Sequence, residues 1–573
     1  MKKTTTWQLF LTLFILPFFF TSCVDDFYKL DNVNTDTEVD MTLVGPIGHS
    51  NIKLSDILPD SISRFKIFIE NDSIFFVLKD TVDFGNAFIN DIKMPKGTFY
   101  KDLPLGESTG INTDTAVFDY TLPFQFDINT NPNEILDSIL FKSSDITLKM
   151  NSVFDFVDNS TLEVIFDPTQ LKLNPSLYPD NKIIINLHSG LIEQPLNLEG
   201  AKLYFPNRAN TINIRFKGDV TTSTQFVEGT TLSVELDFNS MKPRIAYGYI
   251  GQDRDIWGDE ILRDFDFTQS LQGSNFFLPF HNPQIYITSV SNIGIPAEYT
   301  LDYVKASDTR TGETVYADFN GQPTTSFVLN YPKFAEIKNL TNQQLLNFNT
   351  STLDKQTTKL FDKDYGATNR LFQIKPNKLA YKFRVKTVAD AQAPVHFFFD
   401  DSKMFLLITT KLQVNFDGSE DPDKSFFVNL KDTMKLGIDS SDVDISDFEK
   451  VAAEIKLNYQ NSLPIGADVT LKFLNDSDEE VTHDGEVFRQ QYTIEPAPVD
   501  AEGKVLTPFP NTIIRIKITG KQMKNFVLGA SKMAFEYSMA GNEGKNVQIM
   551  AKDWLDLKAS FYVAGKVTLN DEK

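Results

Sequence analysis

Apolar and polar residues alternate along most of this chain. Arg64-Phe65-Lys66-Ile67-Phe68-Ile69 and Ile212-Asn213-Ile214-Arg215-Phe216-Lys217 show the two-residue period of strands with one buried and one wet face. Asn, Asp, Gly and Pro separate such runs at short intervals, which predicts hairpin-linked antiparallel sheets over βαβ units. Helical spacing is scarce, with Phe334 to Phe348 and Phe448 to Leu457 as the two stretches that fit short helices.

The alternating runs repeat. Leu232-Ser233-Val234-Glu235-Leu236-Asp237-Phe238 lines up with Leu379-Ala380-Tyr381-Lys382-Phe383-Arg384-Val385 and with Met533-Ala534-Phe535-Glu536-Tyr537-Ser538-Met539, at spacings of 147 and 154 residues. Downstream, Ile245-Ala246-Tyr247, Val395-His396-Phe397 and Val547-Gln548-Ile549 follow in similar register. Upstream stand Asn-containing turns at Asn151, at Ser291-Asn292 and at Gln460-Asn461. Two of these lead into Tyr299-Thr300-Leu301-Asp302-Tyr303 and Val469-Thr470-Leu471-Lys472-Phe473. Asn210-Thr211-Ile212 recurs as Asn511-Thr512-Ile513. The predicted fold class is all-β: tandem antiparallel β-sandwich-like units in an elongated array. Residues 140–270, 271–416 and 450–573 would be the three units, with 417–449 a linker. Residues 45–139 would form an N-terminal β region, as a separate small domain or as strands completing unit one.

The first 26 residues address location. Lys2 and Lys3 precede an apolar run from Leu9 to Phe20, too short to span a bilayer, and Thr21-Ser22-Cys23 follows. This order resembles a signal-peptidase-II lipobox of a bacterial lipoprotein, departing from the usual Leu at Phe20. The resemblance implies a leader over 1–22, an acylated Cys23 and a flexible tether over 23–44. Cys23 is the only cysteine of 573 residues, so it has no internal disulfide partner. Val24 in place of Asp implies outer-membrane sorting, and Asp25 with Asp26 resembles the export tag of Bacteroidota surface lipoproteins. The implied location is the outer membrane, lipid-anchored through Cys23, with the cell surface favoured over the periplasmic face. Six Asp-Ser/Thr triplets (at Asp60, Asp72, Asp80, Asp114, Asp137 and Asp432) are similar to the O-glycosylation acceptors of exported Bacteroidota proteins.

Charge and chemistry narrow the classes. The net charge is −22, and −24 once Lys2 and Lys3 leave with the leader, a sign that repels nucleic acid and anionic lipid. The five histidines are scattered without metal-ligand spacing, so neither a metal nor another cofactor is expected. No nucleophile elbow, phosphate loop or zinc-protease helix appears. A pair of carboxylates, all that a glycosidase needs, cannot be picked out among 77 acidic residues. The acidic runs Asp417–Asp423 and Asp476–Glu480 read as solvated surface, with calcium as the alternative. The stretch holding Tyr247, Tyr249 and Trp257 is aromatic and glycine-punctuated. It is the candidate ligand loop, with core packing as the plainer alternative. Three functions stay open. One is a non-catalytic binding or adhesion module, with carbohydrate or another cell-surface protein as partner. Another is a structural or assembly lipoprotein of the outer membrane. A glycoside-acting enzyme is the third.

Overall fold

The computed structural model describes residues 38–568 apart from 54–60, 63–64, 85–96, 106–112, 126–134, 207–210, 227–229, 239–241, 266–275, 389–394, 420–425, 437–451, 542–543 and five single positions. Cys23, Asp25 and Asp26 lie outside the described residues. Strands β1 (Glu38–Lys53), β2 (Phe65–Glu70) and β3 (Ser73–Asp83) come first. They are followed by β4 (Thr98–Pro104), β5 (Thr113–Gln125), β6 (Ile135–Ser143), β7 (Asp145–Ser152), β8 (Thr161–Phe166), β9 (Lys182–Asn186), β10 (Gly190–Asn197), β11 (Lys202–Tyr204), β12 (Thr211–Phe226), β13 (Thr231–Asp237) and β14 (Lys242–Tyr249). Next run β15 (Asp255–Asp264), β16 (Gln284–Ser291), β17 (Ala297–Asp308), β18 (Glu313–Tyr316), β19 (Thr325–Val328), β20 (Lys355–Phe361), β21 (Lys378–Thr387), β22 (His396–Phe399) and β23 (Met404–Gln413). The last are β24 (Phe427–Lys435), β25 (Ala452–Asn461), β26 (Gly466–Leu474), β27 (Arg489–Ile494), β28 (Thr512–Ile518), β29 (Lys532–Ala540) and β30 (Trp554–Thr568).

The strand order is the same three times. One sheet of each set runs β4-β13-β7-β10, β15-β21-β17 with β18 and β19 on its far side, or β24-β29-β26-β27. The companion sheet runs β22-β14-β6-β11, β3-β23-β16-β20 or β1-β30-β25-β28. With the seven local strands of a set labelled a to g in chain order, the two sheets read a-f-c-d and g-b-e. An eighth strand from elsewhere in the chain lies beside g. All named pairings are antiparallel. The f strands are β13, β21 and β29. Their Leu232, Val234 and Leu236, Leu379, Tyr381 and Phe383, and Met533, Phe535 and Tyr537 are all at most 1% exposed. Each such side chain contributes about 1.5–3 kcal/mol of burial. In the middle set the two sheets meet face to face, where the Tyr381 and Thr410 hydroxyls lie 2.9 Å apart.

The eighth strand is what ties the sets together. β1 lies on β30, with Glu38 opposite Thr568 and Lys53 opposite Trp554. β3 lies on β23, and β2 extends that sheet as its hairpin partner. β22, which follows β21 of the middle set, lies on β14 of the first. The N-terminal strands therefore complete the last and middle sets, while β4 opens the first. They make neither a separate small domain nor a supplement to the first set alone. Similarly, 427–435 is a strand inside the stretch read as a linker, and β15 begins the middle set at Asp255.

Several sequence matches shift. Asn292 and Asn461 do sit at b–c corners, fully buried. Asn461 Nδ2 donates to the carbonyls of Ile465 and Glu495, each at 2.9 Å, and Asn292 Oδ1 accepts from the Lys403 amide at 2.8 Å. Asn151, by contrast, lies inside β7. Thr512 opens an e strand. Thr211 opens β12, which belongs to an extra sheet, β5-β12-β8-β9, found among the described residues in the first set alone. Ala452–Asn461 is a strand and not a helix, because Ala453, Ile455, Leu457 and Tyr459 are buried at period two. Helix does form over Asn342–Leu346, flanked by 3-10 turns at 334–336 and 350–353. This d–e connection of the middle set packs Ile337, Leu345 and Leu353 against Leu140, Ile245 and Tyr247 of the first.

Candidate functional site

The aromatic stretch singled out in the sequence is not an open loop. Tyr247 and Tyr249 belong to β14. Tyr247 is 6% exposed, its ring edge-on to Phe334 at 5.7 Å, and Lys202 Nζ lies 5.0 Å from its centroid. Burial pushes the Tyr247 phenol far up and the Lys202 ammonium down. Tyr249 stacks on His396 at 5.5 Å. Trp257 stands on β15, with its side chain outside the described residues. The chain's own groups thus occupy Tyr247, and its face has no room for a sugar.

Calcium finds no support in the acidic turn at 476–480. Lys532 donates to Asp478 at 2.7 Å and Arg489 to Glu480 at 2.7 Å, and these bonds hold both carboxyls below their ordinary range. Among the described residues no three His, Cys, Asp or Glu side chains group as metal ligands would. Burial pushes Asp553 up to about 6, and it accepts from the Met550 amide at 2.8 Å. Of the glycosylation-like triplets, Ser138 is buried in β6 and Asp60 lies outside the described residues, whereas Thr81, Thr115 and Thr433 are exposed.

One sheet face differs from the others. In β3, Ile74, Phe76 and Leu78 point into the core, so Phe75, Val77, Lys79 and Thr81 line the opposite face. The register builds rows across it. Phe68 of β2 is opposite Phe75, which is opposite Gln413. Val77 has Lys66 on one side and Lys411 on the other. Lys79, Thr409, Tyr286 and Leu360 form the next row, and Thr81, Leu407, Thr288 and Thr358 the one after. Phe68 is 46% exposed and Leu407 36%, while Phe75, Tyr286 and Leu360 are half-buried by their neighbours. Strand spacing and rise put Phe75 and Tyr286 about 16 Å apart on this surface. Alongside Lys79 and Lys411, uncharged polar groups stand between and around these rings. Tyr286 Oη donates to Gln284 at 3.0 Å, the Thr288 and Thr358 hydroxyls are 2.9 Å apart, and Gln413 Nε2 donates to Ser73 at 3.4 Å.

The outer faces of the a-f-c-d sheets carry a cross-strand ion pair between c and f in every set: Lys149–Glu235, Arg384–Asp302 and Lys472–Glu536. Those faces are solvated charge ladders. The face of β2, β3, β23, β16 and β20 can stack flat apolar rings on Phe68 and Tyr286 and exchange hydrogen bonds with hydroxyl groups, while Lys411 Nζ, 3.9 Å from its centroid, covers Phe75. Sequence reasoning marked Arg64–Ile69 as a strand but not this surface. The signal was present: Ile74-Phe75-Phe76-Val77-Leu78 is apolar at both phases, more than a strand with one wet face requires.

Neither a family model nor a curated protein matches the chain. Among solved structures, a protein of Parabacteroides distasonis described as secreted is similar over 55% of this chain and 83% of its own, at 16% identity and a TM-score of 0.31. A structure of infectious bursal disease virus, Gx strain, aligns over 88% of this chain and 81% of its own, at 8% identity and a TM-score of 0.12. An archaeal virus protein with a triple jelly roll aligns over 83% and 97%, at 10% and 0.11.

Proposed function

We propose that this chain is a lipid-anchored outer-membrane protein, displayed at the cell surface, whose folded part binds an extended polysaccharide without acting on it. The observation that carries the reading is the face of β2, β3, β23, β16 and β20. It is an open face five strands wide, aromatic at two places, with Lys, Gln and Thr side chains between them. An open sheet face fits an extended chain of sugars better than it fits a small molecule, which needs a concave site. The leader-like start, Cys23 and the Asp25-Asp26 pair support the location. Exchanged edge strands favour a second reading, a purely structural lipoprotein with no soluble ligand.

A glycan array probed with residues 24–573 separates the two. Phe68→Ala/Tyr286→Ala should bind the best glycan roughly tenfold more weakly with an unchanged melting temperature, since each ring contact is worth about 0.5–1.5 kcal/mol. A blank array, or equal binding by the variant, overturns glycan recognition and leaves the structural reading. Location has its own test. Cys23→Ala should move the protein from the membrane pellet to a soluble or unprocessed form, and acyl labelling that survives the change would end the lipoprotein reading.

A further inference from the structure

We propose that the contact between the middle and last sandwiches tightens in mild acid, with Asp553 as the group that takes up the proton. The contact is built from backbone. Residues 547–551, in the f–g connection of the last set, run alongside the middle set: Phe416 is opposite Val547 and Asn415 opposite Gln548. Ile549 donates its amide to the Val414 carbonyl at 3.1 Å, Met550 bridges to Ser73, and Ala551 donates to the Asp72 carbonyl at 2.7 Å. Asn71 and Asp72, both at positive φ, form the tip of the β2–β3 hairpin. The last set therefore grips the middle one at that tip. A tight turn from Met550 to Asp553 shapes the grip: the Asp553 amide donates to the Met550 carbonyl at 3.1 Å, and the Asp553 carboxylate accepts from the Met550 amide at 2.8 Å.

This carboxylate is badly placed for a charge. Asp553 is 3% exposed, and among the described residues no cation pairs with it. Asp308, the other buried carboxylate described, has Arg310 at 2.8 Å and is held below its ordinary range. The charged groups around Asp553 are Lys552 on its own turn, Asp72 on the facing hairpin tip, with the same sign as Asp553, and Lys53 of β1, opposite Trp554. The b–c corner of the last set offers Ser462, whose hydroxyl already accepts from the Trp554 amide at 2.7 Å. Burial therefore raises the carboxyl from 3.8 to about 6. Between those values the folded group keeps a proton that the solvated group has lost. The stability it contributes is complete below about 4 and is lost as the pH rises through 6. Above that, a charge is trapped behind the turn, and lifting residues 549–553 off the hairpin tip returns it to water.

Amide hydrogen exchange of the 24–573 chain near pH 5 and near pH 7.5, corrected for the intrinsic pH dependence of exchange, tests this. Amides 549–551 should be about tenfold better protected near pH 5, the ratio that a rise from 3.8 to about 6 gives between the two conditions. Amides of β13, in the first sandwich, should not follow. Asp553→Asn keeps an acceptor for the Met550 amide and removes the charge, so its amides 549–551 should show the acid level of protection in both conditions. No gain in the wild-type chain overturns the proposal. So does an equal gain throughout the molecule, which a chain of net charge −22 would show from relief of self-repulsion alone. A variant that still gains in acid, or that is less protected than wild type near pH 7.5, overturns it as well. The wild-type comparison decides the matter even if the variant fails to fold.

Discussion

A chain starting at residue 54 should fail to hold its C-terminal sandwich together, although every strand removed lies at the opposite end of the sequence. β1 is paired along its whole length with β30, and it packs Ile47 and Ile52 against the core. Ser50 Oγ donates to Asp432 on β24 at 2.6 Å, so the strand also bridges the two sheets. A Cβ at Gly48 would run into the Met434 side chain, which shows how closely the layers approach there. Losing several such contacts costs several kcal/mol, comparable with the 5–15 kcal/mol that a whole domain holds in reserve. Hydrogen exchange should show β25, β28 and β30 unprotected in the 54–573 chain and protected in the 24–573 chain. Unchanged protection of β30 would mean that the strand is dispensable.

Arg244→Met should be the most damaging single substitution at the contact between the first and middle sandwiches. Arg244 is 4% exposed. Its guanidinium is ion-paired with Asp400 and with Asp401, donates to the carbonyls of Leu345 and Phe348, and lies 4.9 Å from the centre of the Phe399 ring. One side chain thereby joins β14, the borrowed strand β22 and the helical d–e connection. Methionine replaces the volume but leaves Asp401 and two carbonyls without their donor, while Asp400 keeps Lys142 at 2.8 Å, a loss of about 1–3 kcal/mol. Urea denaturation measures that loss, and limited proteolysis should show new cleavage within 333–354. A variant with wild-type stability and no new cleavage would show that apolar packing alone seats this connection.

How much of this was legible in the sequence follows from what alternation encodes. A period-two pattern tells which side of a strand is buried, so the f strands at Leu232, Leu379 and Met533 could be aligned, along with the b–c corners at Asn292 and Asn461. It carries no statement about the partner strand. The pairing of Glu38 with Thr568, or of Phe75 with Gln413, spans hundreds of residues and leaves no local mark. Residues 452–457 are rich in helix formers, yet strand pairing on both sides overrode that preference. Tyr247 looked available because glycine follows it. Gly248 instead serves a bulge against β6, and the tyrosine turns inward. Lys66 and Lys411, which flank Val77, have no link in the sequence, since only the register of three strands brings them together.

The borrowed strands also impose a timetable. A chain delivered N-terminus first presents β1 and β3 at the outset, while β23 and β30, on which they lie, emerge several hundred residues later. The sixteen-residue β1 must wait for nearly the whole chain. Pairings this distant in sequence form slowly. Meanwhile an unpaired strand can be captured by the edge of a neighbouring molecule. The first segment made is therefore the last one seated, and closure of the C-terminal sandwich marks the moment at which the molecule is complete.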